Sequence, residues 1–205
     1  STFTVWEKDK NLGRITISMP GKHNILNSLG AIAVGLDLNI PFQTICNALG
    51  NFRGIERRFS YHGRTFKGAE VFDDYGHHPV EIEQTLLVAK KRSLGKLVVV
   101  FQPHRFSRTH KLWDDFVTLF CTEKIDHLII TDIYPASEQP ILGVNSELLV
   151  RAKKKKKPQI PVSYIPITEN FDQIIQNIEQ NSNPDDLLLL LGAGRVNQIV
   201  EKIII

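Results

Sequence analysis

Leu97-Val98-Val99-Val100-Phe101 is an unbroken apolar run, and a second run, Leu187–Leu191, consists of leucine alone. A strand that is apolar at every position suits the middle of a parallel sheet, because helices cover both faces of such a sheet. Segments with apolar residues at helical spacing lie between such runs, so strands and helices alternate from about residue 55 onward. We therefore predict an α/β fold with a Rossmann-like, doubly wound and mostly parallel sheet.

The other elements of this region are predicted from the same periodicities. Residues 59–61 and 65–67 flank Gly63 and are predicted to form a β-hairpin. A helix is predicted over residues 107–120. The remaining predicted strands are 71–72, 127–133 and 162–164, and the remaining predicted helices are 79–91, 146–153, 170–180 and a last one that begins at Arg195.

The region before residue 55 has a different pattern. It is predicted to contain strands 3–6 and 14–18 and helices 24–36 and 41–49. Such short elements enclose only a thin core by themselves. We therefore expect residues 1–54 to be the end of a larger domain and residues 55–205 to form a domain of their own.

The composition is ordinary for a globular protein: of 205 residues, 42% are hydrophobic and 23% are charged. No secretion signal is visible and the apolar runs are too short to cross a bilayer, so we expect no membrane association. Cys46 and Cys121 are isolated and lack metal-ligand spacing. They are expected to be buried thiols in a reducing cytoplasm.

The net charge of +3 owes much to the lysine run 153–157, just before Pro158. We interpret this run as a solvated loop. Because no aromatic residues are interleaved with the lysines, a nucleic-acid partner is not expected.

The most informative loop is Asp73-Asp74-Tyr75-Gly76-His77-His78-Pro79, which follows a predicted strand and precedes a predicted helix. Ligands of open α/β sheets bind at such strand ends. A single carboxylate or imidazole there would be interpreted as a helix cap or a solvated side chain. Two carboxylates, a phenol and two imidazoles together predict a functional site.

A second polar loop, residues 102–109, follows the strand 97–101. Arg105 and Arg108 lie three positions apart at a predicted helix start, so their guanidinium groups could converge on one anion. Cations are disfavoured at a helix N-terminus unless a negative group offsets them, which favours an anion site over two solvated arginines. A third loop, 134–140, indicates only that this edge of the sheet is elaborated.

The glycine patterns predict no complete nucleotide-binding loop. Gly192-Ala193-Gly194 is followed by Asn197 where a dinucleotide motif needs its third glycine, so a tight packing turn is predicted. Neither Gly21-Lys22 nor Gly95-Lys96 is followed by Ser or Thr, as a Walker-type phosphate loop requires.

Four segments resemble motifs of the Mur ligases, in the order in which that family carries them. They are residues 21–27, Arg57-Arg58-Phe59, residues 73–79 and residues 101–109. The resemblance runs essentially end to end. It implies that residues 1–54 are the last part of a central ATP-binding domain and that residues 55–205 are the Mur ligase C-terminal domain.

The resemblance implies an ATP-dependent amide ligase of peptidoglycan precursor synthesis in the cytoplasm. In the implied reaction, UDP-N-acetylmuramate receives the γ-phosphoryl group of ATP on its lactyl carboxylate, and L-alanine attacks the acyl phosphate. ATP and Mg²⁺ are the implied cofactors. The phosphate loop and most Mg²⁺ ligands are expected in N-terminal and central portions of the enzyme that this chain lacks, so the chain alone is expected to be inactive.

The resemblance also implies roles for individual residues. Asp73 and His78 are expected to support the site through hydrogen bonds, and no metal ligand is expected. Phe106 stands where the family commonly has Tyr, and is expected to keep the packing of the ring. The implied nucleotide-binding residues are Asn24, Asn27, Arg58 and Asp74; the implied substrate-binding residues are Tyr75, His77, His104, Arg105 and Arg108; and the implied catalytic residues are Asp74 and His77.

Two alternatives remain open at this stage. A non-catalytic α/β module that binds an anion predicts a complete pocket within this chain, whereas a ligase fragment predicts an open, one-sided face. The related ligase that attaches murein tripeptide to UDP-N-acetylmuramate has a similar paired-histidine motif, although the stretch 104–109 resembles the alanine-adding enzyme more closely.

Overall fold

The computed structural model describes residues 1–52, 56–122 and 124–205, with only the backbone of His23, and it divides into two compact units, Ser1–Glu56 and Arg57–Ile205. The boundary that we expected between residues 54 and 55 lies outside the described residues. In the first unit, β1 and β2 form an antiparallel pair followed by two helices. These elements are β1 Thr2–Glu7, β2 Lys10–Thr16, α1 Lys22–Asp37 and α2 Phe42–Asn51.

The first unit has a small core. Its buried apolar side chains are Val5, Ile15, Ile17, Ile32 and Ile45. In contrast, Trp6 is 59% exposed, Val34 61% and Leu38 64%. A unit that leaves so much apolar surface exposed has the thin core that the sequence predicted.

The second unit contains a six-stranded sheet with the order β3-β4-β8-β5-β6-β7. Only the β3–β4 pair is antiparallel; the other neighbouring strands are parallel. This arrangement confirms the predicted fold class. The strands are β3 Ser60–Arg64, β4 Glu70–Asp74, β5 Leu97–Phe101, β6 His127–Ile130, β7 Val162–Tyr164 and β8 Leu187–Leu191.

Helices cover both faces of this sheet, so the sheet is doubly wound. Val99 of β5 packs on one face with helices α3, α5 and α6, whereas Val98 and Val100 pack on the other with α7 and α8. All residues of β5 and β8 are buried, as the apolar runs predicted. The helical segments are α3 Pro79–Arg92, α4 Phe106–Lys111, α5 Trp113–Leu119, α6 Ser146–Lys156, α7 Asp172–Asn181, a 3-10 turn Arg195–Ile199 and α8 Val200–Ile203.

The predicted hairpin around Gly63 is wrong. Strand β3 runs through Gly63, and it pairs with β4 from Ser60 opposite Asp73 to Arg64 opposite Glu70. The register shifts between Tyr61 and Gly63, where Gly63 has a φ of 128°. The glycine therefore serves a β-bulge within the strand instead of a turn between strands.

Two predictions about helices also need correction. The helix predicted over 107–120 is broken at Leu112, which separates α4 from α5. The lysine run 153–157 is not a solvated loop, because α6 continues to Lys156 and Lys153 is fully buried, with its Nζ donating to the carbonyl oxygen of Ile160. Lysines also suit this position, since cations at a helix C-terminus complement the helix dipole.

Three expectations from composition concern membranes, thiols and metals. No helix in the described ranges is long and apolar enough to span a bilayer. Cys46 and Cys121 are unpaired and partly buried. Within the same ranges, no group of three or more His, Cys, Asp and Glu side chains is placed to hold a metal ion.

Candidate functional site

The two polar loops that the sequence singled out begin at the same edge of the sheet. Asp74 at the end of β4 and Phe101 at the end of β5 are both in register with Leu191 at the end of β8. The backbone N–H of Gly192 donates to the carbonyl of Asp74 (3.0 Å), and that of Gln102 donates to the carbonyl of Leu191 (2.9 Å). The loops after β4, β8 and β5 therefore lie side by side at the carboxyl edge, where α/β sheets bind ligands.

The middle loop is kept small by its glycines. Gly192 has a φ of 142°, and a Cβ there would lie 2.7 Å from the carbonyl oxygen of Gln102. A Cβ on Gly194 would clash with Oε1 of Gln102. Oε1 of Gln102 occupies this space and accepts a hydrogen bond from the N–H of Val196 at 3.1 Å. These contacts confirm the predicted packing turn.

Aromatic rings from three loops form a continuous row at this edge. The centroid of His77 lies 5.3 Å from that of Tyr75 and 5.5 Å from that of His104. His104 stacks in turn on Tyr134, with centroids 5.4 Å apart and ring planes at 16°. The fold thus joins His77 and His104, which are separated by a whole helix and strand in the sequence.

Hydrogen bonds assign the tautomers of the two histidines. Nδ1 of His77 lies 3.0 Å from the carbonyl oxygen of Tyr75, which can only accept, so Nδ1 carries the proton and Nε2 is the basic nitrogen of the neutral ring. Nδ1 of His104 lies 3.3 Å from Nη1 of Arg108, which can only donate. In His104, Nε2 therefore carries the proton.

Both histidines are held in the neutral form. Burial lowers the pKa of His77, and the nearby charge of Arg108 adds to this effect. Burial lowers the pKa of His104 to about 4, with further contributions from His77, Arg108 and Arg105. A neutral ring at pH 7 can accept a hydrogen bond or a proton on one nitrogen and donate a hydrogen bond from the other.

The two arginines of the second loop differ in their partners. Arg105 is exposed and pairs through Nη1 with Oε1 of Glu138 at 3.3 Å. Arg108 is partly buried, and it makes no ion pair with any residue in the described ranges. An unpaired and partly desolvated guanidinium favours binding of an anion. That both arginines converge on the same anion stays a prediction.

The carboxylates of Asp73 and Asp74 point into the protein. Asp74 is buried, with Oδ2 accepting from the N–H of Phe59 (2.8 Å) and Oδ1 from that of Gly76 (2.7 Å), and burial raises its pKa. Burial likewise raises the pKa of Asp73, which accepts from Nε of Arg57 at 3.1 Å. In this structure both acids organise loops. The predicted contact of Asp74 with the nucleotide is not tested by this arrangement.

His78 supports the start of helix α3, and the predicted helix start at Pro79 is confirmed. The side chain of His78 accepts from the N–H of Val80 at 3.3 Å, while Glu81 Oε2 accepts from the N–H groups of His77 (3.3 Å) and His78 (3.4 Å). This reciprocal capping box fixes the loop that carries His77.

The residues expected to bind the nucleotide lie in both units. Asn24, whose amide donates to the carbonyl of Pro20 at 2.7 Å, and the exposed Asn27 belong to α1 of the first unit. Arg58 belongs to the second unit and is exposed. Its charge contributes to lowering the pKa of His77, so it lies near the ring row.

Three residues of the site were missed from the sequence. Arg57 donates to both Asp73 and the carbonyl of Gly192, and its guanidinium lies 5.0 Å from the centroid of Tyr75. Tyr134 and Glu138 belong to the third strand-end loop, which the sequence showed only as elaborated. Strand order alone could have placed that loop beside the second one, because β5 and β6 are neighbours.

The fold and this edge define an α/β domain with a cationic, imidazole-lined site at the carboxyl ends of its strands. The family model "Mur ligase, glutamate ligase domain" matches residues 57–194. The chain therefore belongs to the Mur ligase family.

Curated relatives match nearly the whole chain. A protein of Geobacter sp. (strain M21), named UDP-N-acetylmuramate–L-alanine ligase, is 46% identical over 206 residues, which covers 100% of this chain and 43% of that protein. A protein of the same name from Syntrophotalea carbinolica is 44% identical and is matched over 99% of this chain and 43% of its own length. The chain thus spans less than half the length of these relatives.

Solved structures show the same fold. The UDP-N-acetylmuramate-alanine ligase of Thermotoga maritima superposes with a TM-score of 0.73 at 24% identity, covering 96% of this chain and 40% of that one. A murein peptide ligase of Psychrobacter arcticus gives a TM-score of 0.71 at 26% identity, covering 98% of this chain and 41% of that one. The two solved structures carry different activities in their names, and their superpositions with this chain are of similar quality.

Proposed function

We propose that this chain is part of an ATP-dependent ligase that joins L-alanine to UDP-N-acetylmuramate in peptidoglycan precursor synthesis. The observation that carries the proposal is the partly buried guanidinium of Arg108, which has no ion pair within the described ranges and lies beside two neutral histidines. An amino acid presents a carboxylate for the cation and an amine for a neutral imidazole. The shared name of relatives at 42–46% identity supports this choice of substrates.

The chemistry explains why these residue types are needed. A carboxylate is a poor electrophile until one of its oxygens becomes a phosphate leaving group, which ATP supplies. The amine of L-alanine then attacks the acyl carbon and phosphate leaves. Such transfers depend chiefly on positioning and on cations that offset negative charge.

We assign roles to the side chains of the edge as follows. Arg108 and Arg105 bind the carboxylate of L-alanine, and Tyr75 and His104 form the wall beside it. Nε2 of His77 is the basic nitrogen of its ring and accepts a hydrogen bond or a proton from the incoming amine.

A second set of residues is assigned to the binding of the nucleotide. Arg58 suits a phosphate of ATP, and the amides of Asn24 and Asn27 suit the edge of the adenine base. Asp74 keeps a proposed contact with the ribose hydroxyls, which requires its loop to open. In the described ranges no group of three or more His, Cys, Asp and Glu side chains is placed to hold a metal ion, and we propose that most Mg²⁺ ligands come from the remainder of the enzyme.

We also propose that the first unit is the C-terminal end of the central ATP-binding domain and that the enzyme works in the cytoplasm. The small core of the first unit supports this division. The remainder of the enzyme would supply the phosphate loop and the binding site for the nucleotide sugar.

A chimera tests the proposed function. This chain replaces the matched segment of the Geobacter relative, and phosphate release is measured with ATP, UDP-N-acetylmuramate and amino acids. We expect release that requires both UDP-N-acetylmuramate and L-alanine. Preference for murein tripeptide would favour the alternative ligase, and no release beside an active parent enzyme would contradict both.

The isolated chain provides a second test. We expect it to bind ATP weakly or not at all, because it lacks the Walker-type loop on which phosphates are bound. Isothermal titration calorimetry would measure this. Micromolar affinity of the chain for ATP would contradict the prediction and would favour a self-sufficient anion-binding module.

A further inference from the structure

The loop after β6 is attached to the segment that carries His104 and Arg105. The backbone N–H of Tyr134 donates to the carbonyl of Pro103, and that of Arg105 donates to the carbonyl of Tyr134, both at 2.8 Å. The ring of Tyr134 also stacks on His104. The loop therefore contacts this segment through both backbone and side chain.

Glu138 of the same loop makes a second attachment. Its Oε2 accepts from the N–H of Ser107 at 2.9 Å, and its Oε1 accepts from Oγ of Ser107 at 2.7 Å and from Nη1 of Arg105 at 3.3 Å. The hydrogen bonds from Ser107, followed by the contact with Arg105, lower the pKa of Glu138. One carboxylate thus caps the start of α4 and holds the Arg105 side chain.

The backbone around these contacts is strained. Arg105 has a φ of 72°, and Ala136 and Ser137, just before Glu138, have φ values of 47° and 69°. Non-glycine residues seldom adopt positive φ, and such outliers often lie at functional sites. The strain lies on both sides of the Glu138–Arg105 contact.

We propose that Glu138 is a positioning residue that holds the guanidinium of Arg105 through Nη1 and leaves Nε and Nη2 for the carboxylate of the amino-acid substrate. The inference rests on the proposed function. Nε and Nη2 of Arg105 make no hydrogen bond with the residues that the structure describes. Two donors on one edge of a guanidinium match the two oxygens of a carboxylate.

Glu138→Gln in the chimera separates this role from helix capping. The amide oxygen of Gln can still accept from Ser107, but the side chain loses the charge that holds Arg105. We expect the KM for L-alanine to rise by roughly three- to tenfold, because a displaced binding group costs more than one exposed ion pair. The kcat and the KM for ATP should stay within about twofold of the wild-type values. Glu138 is not assigned a contact with the amine nitrogen or the acyl carbon that react.

Glu147→Gln is the matched control. Glu147 lies in the first turn of α6 and, like Glu138, pairs with an arginine, here Arg151 at 2.6 Å. It should leave every kinetic constant within about twofold, because an exposed pair of this kind contributes little. Glu138→Asp, which keeps the charge on a shorter side chain, should restore part of the affinity for L-alanine.

A readout on the isolated chain does not depend on the proposed function. The NMR resonance of Arg105 Nε should shift in Glu138→Gln and stay unchanged in Glu147→Gln, while the amide of Ser107 remains protected from exchange. An unchanged Arg105 resonance, or an active chimera whose KM for L-alanine is unaltered, would overturn the inference. An inactive wild-type chimera would instead count against the proposed function, and the resonance would still decide whether Glu138 positions Arg105.

Discussion

At the scale of single residues, His77 and His104 leave the same ring nitrogen, Nε2, in opposite protonation states. His77 has a basic Nε2 because its Nδ1 donates to the Tyr75 carbonyl, whereas His104 has a protonated Nε2 because its Nδ1 accepts from Arg108. Two neighbouring imidazoles can therefore accept one hydrogen bond and donate another.

We predict that His104 makes stability depend on pH. Its folded-state pKa of about 4 lies below the ordinary value of 6.5, so only the unfolded chain takes up this proton between those values. Stability is then complete above about pH 6.5 and falls as the pH is lowered toward 4. NMR titration of the ring should show the low pKa, and urea unfolding of His104→Gln should show a weaker loss of stability over this range. A His104 pKa near 6.5 would contradict the prediction.

Arg57 is predicted to stabilise the edge of the sheet more than its neighbour Arg58. Arg57→Lys replaces the guanidinium fork by a single ammonium group, which cannot keep contacts to both the nearly inaccessible Asp73 and the carbonyl of Gly192, so one of these acceptors loses its partner. We expect a loss of about 1–3 kcal/mol in the free energy of unfolding. The control Arg58→Lys should change it by less than about 0.5 kcal/mol, since Arg58 is exposed. Equal effects in urea denaturation would refute this role of Arg57.

At the scale of elements, two glycines of helix α1 should respond in opposite ways to alanine. A Cβ at Gly30 would meet nothing within 4 Å, whereas a Cβ at Gly35 would lie 2.7 Å from Cδ1 of Ile45. Gly30→Ala should stabilise the helix by about 0.5–1 kcal/mol, because alanine restricts the unfolded chain. Gly35→Ala should be destabilising, as overpacking costs about 1–3 kcal/mol. Thermal unfolding of the two variants would measure this, and an unchanged midpoint for both would contradict it.

The elements also show how far the sequence predicts this fold. The buried strands β5 and β8 and the start of α3 at Pro79 were predictable, because apolar runs and a helix-starting proline are local signals. The bulge at Gly63 and the buried Lys153 were not predicted, since both depend on which segment lies alongside. Local sequence cannot show a neighbour from a distant part of the chain.

The candidate site also divides into residues that local sequence reveals and residues that depend on distant contacts. The loops at 73–79 and 102–109 were found because chemistry is concentrated within each of them. Tyr134 and Glu138 were missed as functional residues, because their importance comes from contacts with His104 and Arg105 across neighbouring strands. The inward orientation of Asp74 likewise depends on Phe59, which lies before the preceding strand.

At the scale of the whole molecule, the two units should differ in independence. Both large apolar clusters lie within residues 57–205, whereas the first unit has only a small one. We predict that a chain of residues 57–205 folds alone, with a cooperative thermal transition and dispersed NMR amide signals. Residues 1–56 alone should lack such a transition, because too little apolar surface is buried. A molten 57–205 fragment would contradict the prediction.

The strand order has a consequence for how the protein is made. Strand β8 lies between β4 and β5, although it is the last strand to leave the ribosome. The strands β4 and β5, which precede the loops with His77 and His104, are therefore synthesised early. The strand that pairs with both of them is synthesised last. Pairings between such distant segments form slowly. A nascent chain that stops before residue 187 would contain the loops 73–79 and 102–109 but lack the strand that lies between β4 and β5.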